Sequence, residues 1–264
     1  ILFKKFMNYR INYKSCPLCD SASFYPIYRG DCSKHKLYKP ELPTLMQWME
    51  CTECKHHFID GYFNDDGIKK IFSDTHENQK IGYQIEQQRL VSARILNKVI
   101  AYKDSGTWLD IGFGDGALLF TAQEYGFNCI GTDLREENVK IIKNLGIEAY
   151  SENIENIKFN EKISVVSMMD VLEHVPYPKK MLSVVSNILE ENGIIVISMP
   201  NIESMIWKLM KQNNKNPYLG EIEHYHNFSR TRLYKLLIEF SLKPIHYGIS
   251  ERYRACMELI AIKN

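Results

Sequence analysis

The arrangement of apolar residues along most of the chain takes two forms, one typical of strands and one typical of helices. Continuous apolar runs predict buried strands, whereas apolar positions three or four residues apart predict helices. The predicted strands are 107–111, 127–132, 147–150, 163–169 and 194–199. The predicted helices are 81–102, 116–125, 135–144, 178–191 and 230–240, with a more irregular helical segment at 202–211. Two further apolar segments, 244–249 and 255–262, are joined by a short turn and can pair as an antiparallel hairpin.

The alternation of strand and helix after residue 80 predicts an α/β fold. Repeated β–α units form a parallel sheet that is covered by helices on both faces. With the hairpin at one edge, the pattern predicts a Rossmann-like, mostly parallel sheet in residues 81–264. The polar stretch 64–80 is interpreted as a connector to a separate N-terminal module.

The N-terminal module, residues 14–63, contains two C-x-x-C pairs. The pairs are Cys16–Cys19 and Cys51–Cys54, and 31 residues separate them. Two such pairs can direct four thiolates at one tetrahedral ion, so the spacing predicts a zinc-ribbon-like module with a structural Zn²⁺. A redox-active pair and plainly buried cysteines are the alternatives. Nearby residues that could replace a misassigned ligand are Cys32, His35, His56 and His57.

A glycine-rich turn follows the strand 107–111. Gly112, Gly114 and Gly116 occupy alternate positions, so the backbone can turn sharply and approach a ligand before a helix begins. Asp110 precedes the turn. Asp133 follows nineteen residues after Gly114, where it can accept hydrogen bonds from ribose hydroxyl groups. A dinucleotide site would require the spacing G-x-G-x-x-G, whereas this chain has G-x-G-x-G. The carboxylate of Asp110 would also repel a pyrophosphate, but it suits a cationic ligand.

These residues resemble motif I of the class I S-adenosylmethionine (SAM) methyltransferases, whose ligand carries a sulfonium and an ammonium group. The resemblance implies a sheet of seven strands with an antiparallel terminal hairpin. It also implies SAM as the cofactor and S-adenosylhomocysteine as its product. The residues implied in cofactor binding are Asp110, Gly112, Phe113, Gly114, Gly116, Asp133, Leu134, Asn153, Ile154, Met169 and Asp170.

A second block follows the predicted strand 163–169 and reads D-V-L-E-H-V-P from Asp170. It resembles the D-V-L-E-H-x-x-x-P segment of methyltransferase families that include ubiquinone and sugar-tailoring enzymes. The resemblance implies that Glu173 and His174 border the substrate. A structural hydrogen-bonded pair is the alternative for these two residues.

A third block, 221–229, resembles the E-H-x-x-x-F-S segment that such enzymes carry before a helix. It follows a polar and aromatic stretch that is interpreted as a lid over the substrate. Methylation of an alcohol benefits from a general base, and histidine is the usual one near neutral pH. The candidate bases are His174, His224 and His226, each with a structural role as the alternative. His224 is preferred because it follows an acid and lies between the lid and the core, and Tyr225 is a candidate substrate contact.

Composition limits the classes of function. The 33 basic and 32 acidic residues give a net charge of +1, which disfavours a dedicated nucleic-acid binder. No apolar run reaches the roughly 18 residues that a membrane span needs, and no secretory signal is evident. Seven cysteines, an odd number, then indicate a reducing compartment, and we expect a cytoplasmic protein. Residues 1–6 precede Met7 and are interpreted as an artefact of the start site.

Three functions agree with these patterns. The leading prediction is SAM-dependent O-methylation of a small-molecule acceptor, a sugar or a surface-polysaccharide precursor. The N-terminal module also resembles the zinc domain of sugar C-methyltransferases, but their large C-terminal extension has no counterpart here. A second reading is a ribosomal-RNA methyltransferase that docks RNA through the zinc module. A third is a non-catalytic SAM-binding or scaffold protein.

Overall fold

The computed structural model describes residues 9–73 and 75–264, and its N-terminal part is a small β module. The strands of this part are β1 (Arg10–Asn12), β2 (Phe24–Asp31), β3 (Leu45–Cys51), β4 (His57–Ile59) and β5 (Gly61–Phe63). Strands β2, β3 and β4 form an antiparallel sheet, and β1 pairs with β5. The interpretation of residues 1–6 as an artefact lies outside the described residues.

The chain then alternates between helices and strands. These elements are α1 (Asp65–Ile71), α2 (Ile85–Val99), β6 (Thr107–Ile111), α3 (Ala117–Glu124), β7 (Asn128–Thr132), α4 (Glu136–Asn144), β8 (Glu148–Tyr150), β9 (Ile163–Met169), α5 (Pro178–Ile188), β10 (Leu189–Pro200), α6 (Met205–Gln212), β11 (His226–Asn227), α7 (Arg230–Glu239), β12 (Leu242–Ile249) and β13 (Cys256–Lys263). Within the described residues, none of the helices combines the length and the apolar character that crossing a bilayer requires.

Seven strands form one sheet in the order β12-β13-β10-β9-β6-β7-β8. The five adjacent strands β10, β9, β6, β7 and β8 are all parallel. Strand β13 is antiparallel to both of its neighbours, β10 and β12. The predicted Rossmann-like sheet with an antiparallel terminal hairpin is confirmed. Because β12 reverses direction relative to β13, it points the same way as the parallel strands. The turn that follows β12 therefore lies at their carboxyl ends.

Several elements differ in extent from the sequence pattern; the predicted helix 81–102, for example, is shorter in the structure, where α2 runs from Ile85 to Val99. The predicted helix 178–191 ends at Ile188, and strand β10 begins at Leu189, which is fully buried and pairs with Ile163. Burial of Leu189 against the sheet therefore ends the helix earlier than its periodicity indicates. The polar stretch 64–80 contains α1, which begins because the Asn64 side chain accepts a hydrogen bond from the backbone N–H of Gly67 at 2.9 Å.

The N-terminal module and the large sheet share a hydrophobic core. Tyr13 and Phe58 of the module pack in the same cluster as Met168 and Phe228. Strand β11, from the C-terminal part of the chain, pairs with β4 and gives the module's sheet its fourth strand. The predicted domain boundaries stay a prediction, and the packing is continuous across them.

Candidate active site

The glycine-rich turn after β6 has a backbone that glycine adopts far more easily than other residues. Gly112, Gly114 and Gly116 have φ angles of 72°, 56° and 80°. A Cβ atom on Gly112 would lie 2.8 Å from Cγ2 of Val171, closer than packed carbon atoms come. The turn therefore depends on glycine for its conformation and for its close contact with the loop after β9.

A cavity of about 820 Å³ opens beside this turn at the carboxyl ends of the parallel strands. Most of the residues that the sequence singles out line it. These are Gly112, Gly114, Asp133, Leu134, Asn153, Ile154, Met169, Asp170, Glu173, His174, His224 and Tyr225. Three of the expected cofactor residues, Asp110, Phe113 and Gly116, are not on its lining. The structure thus brings the first and second sequence blocks and part of the third to one space.

Asp133, the acid after β7, already has several hydrogen-bond donors. Its carboxylate accepts bonds from the backbone N–H groups of Gly114 (3.1 Å) and Arg135 (2.9 Å). The Arg135 guanidinium also donates to Oδ1 at 3.0 Å, and Gln79 and the ring of Phe72 hold it there. A ribose bound at Asp133 would share its oxygens with Arg135 or displace the guanidinium.

Asp110 lies beneath the turn and away from the cavity surface. Its side chain is buried, and the hydroxyl of Ser167 donates to its Oδ1 at 2.5 Å. Burial raises the pKa of Asp110 from 3.8 to about 7. The carboxyl is thus partly protonated near neutral pH, and a positive charge bound nearby would favour its ionised form.

The far end of the cavity is formed by the loop after β9 and by the segment 221–225. Glu173 is only 1% exposed, and neither of its carboxylate oxygens has a hydrogen-bond partner among the described residues. Burial, together with the nearby Asp170, raises the pKa of Glu173 well above its ordinary range. A buried carboxyl group without a partner is costly, so this end favours a ligand that brings a donor or a positive charge.

Two candidate bases, His174 and His224, meet at this end. Their ring centroids lie 4.6 Å apart, with the planes nearly perpendicular. The Nδ1–H group of His174 donates to the carbonyl of Glu223 at 3.1 Å, which leaves the Nε2 lone pair available. Burial lowers the pKa of His174 to about 4 and that of His224 well below its ordinary range, so both rings are neutral at pH 7. With Glu173 they could also hold a divalent ion, because one ligand atom of each residue lies within 4.8 Å of the others.

The third candidate base, His226, is fully buried and does not line this cavity. Its Nε2–H group donates to the carbonyl of Val175 at 2.9 Å, and its Nδ1 accepts a hydrogen bond from Nε2 of His56 at 3.0 Å. Both ring nitrogens are therefore engaged. His226 connects the N-terminal module to the loop after β9, and of the three candidate bases only His174 and His224 line the cavity.

Several residues on the cavity were not found by sequence reasoning. Tyr62, Phe63 and Phe72 line it from the N-terminal side, and no local pattern predicts that contact because it depends on how the module packs. Arg252, in the turn after β12, also lines it, with its Nε 3.7 Å from Oδ2 of Asp170. A signal for Arg252 was available, since the predicted hairpin brings this turn to the carboxyl ends of the parallel strands.

The four predicted zinc ligands come together in the N-terminal module. The Sγ atoms of Cys16, Cys19, Cys51 and Cys54 lie within 4.8 Å of one another. The Cys16–Cys54 and Cys19–Cys51 pairs are separated by 3.6 and 3.5 Å. Tetrahedral Zn–S bonds of about 2.3 Å place sulfur atoms about 3.8 Å apart, so the donor set and its spacing fit a closed zinc site. The substitutes considered from the sequence are not part of this cluster, namely Cys32, His35, His56 and His57.

Acidic side chains dominate the lining of the cavity. It carries nine Asp and Glu residues but only three Arg and Lys residues, Arg135, Lys180 and Arg252. Each of these three has a carboxylate oxygen within 3.7 Å. Burial raises the pKa of Glu173 and Glu223, but the other acids still outnumber the bases, so the charge of the lining favours cationic or neutral ligands over polyanions.

The order of the seven strands, the glycine-rich turn and a cavity at the carboxyl ends of the parallel strands together define the fold of the class I SAM-dependent methyltransferases. A family model described as a methyltransferase domain matches residues 83–247, which is more than half of the chain. The chain therefore belongs to this methyltransferase-domain family.

Individual relatives match shorter stretches. An uncharacterised protein from Methanocaldococcus jannaschii is 29% identical over 155 residues, which cover 56% of this chain and 59% of that protein. A ubiquinone biosynthesis O-methyltransferase from Colwellia psychrerythraea is 31% identical over 101 residues, 35% of this chain and 41% of the enzyme. The matches thus span between two fifths and three fifths of the length of these relatives.

One solved structure illustrates the shared fold. Magnesium protoporphyrin IX methyltransferase from Synechocystis, with bound S-adenosylhomocysteine, has a TM-score of 0.53 and 17% sequence identity to this chain. The match covers 67% of this chain and 84% of that one. At this identity the similarity concerns the fold alone.

Proposed function

We propose that this chain transfers the methyl group of SAM to a hydroxyl group of a small molecule, a sugar or a surface-polysaccharide precursor. The observation that carries the proposal is the single cavity that joins the glycine-rich turn to Glu173, His174 and His224. A cofactor at one end and an acceptor at the other would share one space. The similarity to a ubiquinone biosynthesis O-methyltransferase supports an oxygen acceptor.

The residues at the turn suit SAM, which supplies an activated methyl group on a positively charged sulfur. Gly112 and Gly114 allow the ligand to approach the backbone closely. Asn153, which lines the cavity after β8, can accept a hydrogen bond from an adenine amine. Asp133 would receive the ribose hydroxyl groups in competition with Arg135, and the zinc ion would be held by the four cysteines as a structural ion.

The chain would contribute alignment, exclusion of water and removal of one proton. As the acceptor oxygen attacks the methyl carbon, an O–C bond forms, the C–S bond breaks and the sulfur keeps the electron pair. The proton of the hydroxyl group then passes to the Nε2 atom of His174 or to the ring of His224. Burial lowers the pKa of both rings, so each is neutral at pH 7 and keeps one unprotonated nitrogen.

The charge of the cavity supports a small, neutral acceptor over RNA. Nine acidic side chains line it, and each of the three Arg and Lys side chains already has a carboxylate within 3.7 Å. RNA binding depends on basic side chains that are free to contact phosphates. A nucleotide-activated sugar would therefore enter with its sugar ring in the cavity and its phosphates towards solvent.

The test is transfer of a labelled methyl group from SAM, offered in parallel to a small-metabolite and nucleotide-sugar fraction and to unmodified ribosomal RNA. We expect label in the small-molecule fraction, where mass spectrometry identifies the product, and no label with a His174→Ala, His224→Ala double variant. Label in RNA would overturn the proposal in favour of RNA methylation. SAM binding without label in either fraction would support the non-catalytic reading instead.

A further inference from the structure

We propose that His35 of the N-terminal module is a positioning residue that holds the segment 221–225 in place. Through this segment, His35 would keep the rings of His174 and His224 in the correct position relative to the acceptor hydroxyl group. The inference rests on the proposed function for the role of the two cavity histidines. It assigns the module a direct part in the reaction, beyond holding a structural metal.

One imidazole ring contacts two carboxylates of the same short segment. Nε2 of His35 lies 2.6 Å from a Glu221 carboxylate oxygen, and Nδ1 lies 3.4 Å from one of Glu223. Burial alone would lower the pKa of His35, but the Glu221 hydrogen bond and the charges of Glu223 and Glu221 raise it overall. The Nε2–H group of His35 donates to the Glu221 carboxylate, and Nδ1 accepts the backbone N–H of Leu37 at 3.3 Å, so both ring nitrogens are engaged and the ring is held in one orientation beside the segment.

The segment held by His35 makes backbone contacts with the catalytic end of the cavity. The carbonyl of Glu223 accepts the Nδ1–H of His174 at 3.1 Å, which sets the tautomer that leaves Nε2 free. The backbone N–H of Tyr225 donates to the carbonyl of Glu173 at 2.9 Å. Without the His35 ring, the segment would lose the hydrogen bond to the Glu221 side chain, and the Glu223 carbonyl two residues later would lose its orientation towards His174.

The position of His35 is itself fixed by the fold of the module. Its backbone N–H donates to the carbonyl of Cys32 at 2.9 Å, and its carbonyl accepts the N–H of Tyr38 at 3.0 Å. Cys32 and Leu37 on either side are buried in the module's core. A movement of His35 away from the cavity would therefore require this turn to unfold, so the ring can act as a fixed support.

The first measurement compares His35→Ala with wild type, and His57→Ala provides a matched control. His57 also belongs to the module and pairs with an acid, Glu50 at 3.2 Å, and the two pairs are similarly exposed. We expect His35→Ala to lower kcat about tenfold or more, because small displacements of reacting groups reduce turnover strongly. SAM affinity by calorimetry should stay within about twofold of wild type, and His57→Ala should retain its kcat. His35→Gln, which keeps one donor, should recover part of the kcat.

A second readout needs no acceptor and therefore separates this inference from the proposed function. In protein labelled with ¹⁵N-histidine, NMR should show His174 in the Nδ1–H tautomer, with its signals assigned through His174→Gln. His35→Ala and His35→Gln should change this tautomer equilibrium, whereas His57→Ala should not. If the His174 signals and kcat are both unchanged in folded His35→Ala and His35→Gln, the inference is overturned. If the His174 signals shift in the His35 variants but the wild-type protein methylates no acceptor, the positioning role is supported and only the proposed activity is contradicted.

Discussion

Replacement of Asp110 by asparagine should stabilise the fold while weakening the site for a cationic cofactor. Burial raises the pKa of Asp110 from 3.8 to about 7, so the folded chain keeps a proton that the unfolded chain releases between these pH values. The wild-type protein therefore loses stability as the pH rises from about 4 to about 7, and the loss is complete above that range. The difference of about 3 in pKa corresponds to about 4 kcal/mol of unfolding free energy. The side chain is only 3% exposed, so solvent screening reduces this figure little.

Asparagine avoids this cost because its side chain carries no charge, and its amide oxygen can still accept the Ser167 hydrogen bond. Urea unfolding at pH 5, 6, 7 and 8 measures the effect directly. Between pH 5 and pH 7, the stability advantage of Asp110→Asn over wild type should grow by about 2 to 3 kcal/mol. Glu152→Gln, at an exposed position, is the matched control and should show no such growth. Calorimetry at pH 8 should show several-fold weaker SAM binding by Asp110→Asn. A stability difference that stays constant from pH 5 to pH 8 would refute the assignment of a proton to Asp110.

Three further predictions concern the turn, the candidate bases and the cysteine cluster. Gly112→Ala places a methyl group 2.8 Å from Val171 at a φ of 72°, so urea unfolding should show a loss of about 1 to 3 kcal/mol and calorimetry a loss of SAM binding. His174→Ala and His224→Ala should each lower turnover about a hundredfold without weakening SAM binding, and unchanged turnover in both would contradict the base assignment. A strong chelator should release zinc and lower the unfolding temperature, whereas Cys51→Ser should purify without stoichiometric zinc by elemental analysis. A chain that is equally stable with and without bound metal would contradict the structural role.

The large sheet was predictable because its strands are buried on both faces. The strand segments 107–111 and 163–169 are mostly apolar, and the structure has β6 and β9 over the same residues. Such runs are typical of parallel strands covered by helices. The pattern was less accurate where tertiary packing overrides local spacing. Leu189 could continue a helix by its periodicity, but it pairs with Ile163 and is buried in the sheet instead.

The candidate site was only partly predictable, and the reason is the distance along the chain between its components. The glycine-rich turn, Asp133 and Glu173 lie in short motifs, so local sequence was enough to bring them to the same sheet edge. The contact of Arg135 with Asp133 was not predicted, although the two residues are close in sequence. The aromatic wall formed by Tyr62 and Phe72 depends on the packing of the module, which no local spacing reports.

The segment 225–226, at the proposed acceptor end of the cavity, is hydrogen-bonded to the N-terminal module. The backbone N–H of Ile59 donates to the carbonyl of Tyr225 at 3.0 Å, and His56, two residues after Cys54, is hydrogen-bonded to His226. The cysteine cluster is thus connected to the acceptor end through a short series of hydrogen bonds. The glycine-rich turn makes none of these hydrogen bonds, and its Phe113 packs in another cluster with residues of α3 and α4. Partial loss of metal should therefore disturb the acceptor end before the cofactor end, and turnover should fall at chelator concentrations that leave SAM affinity intact.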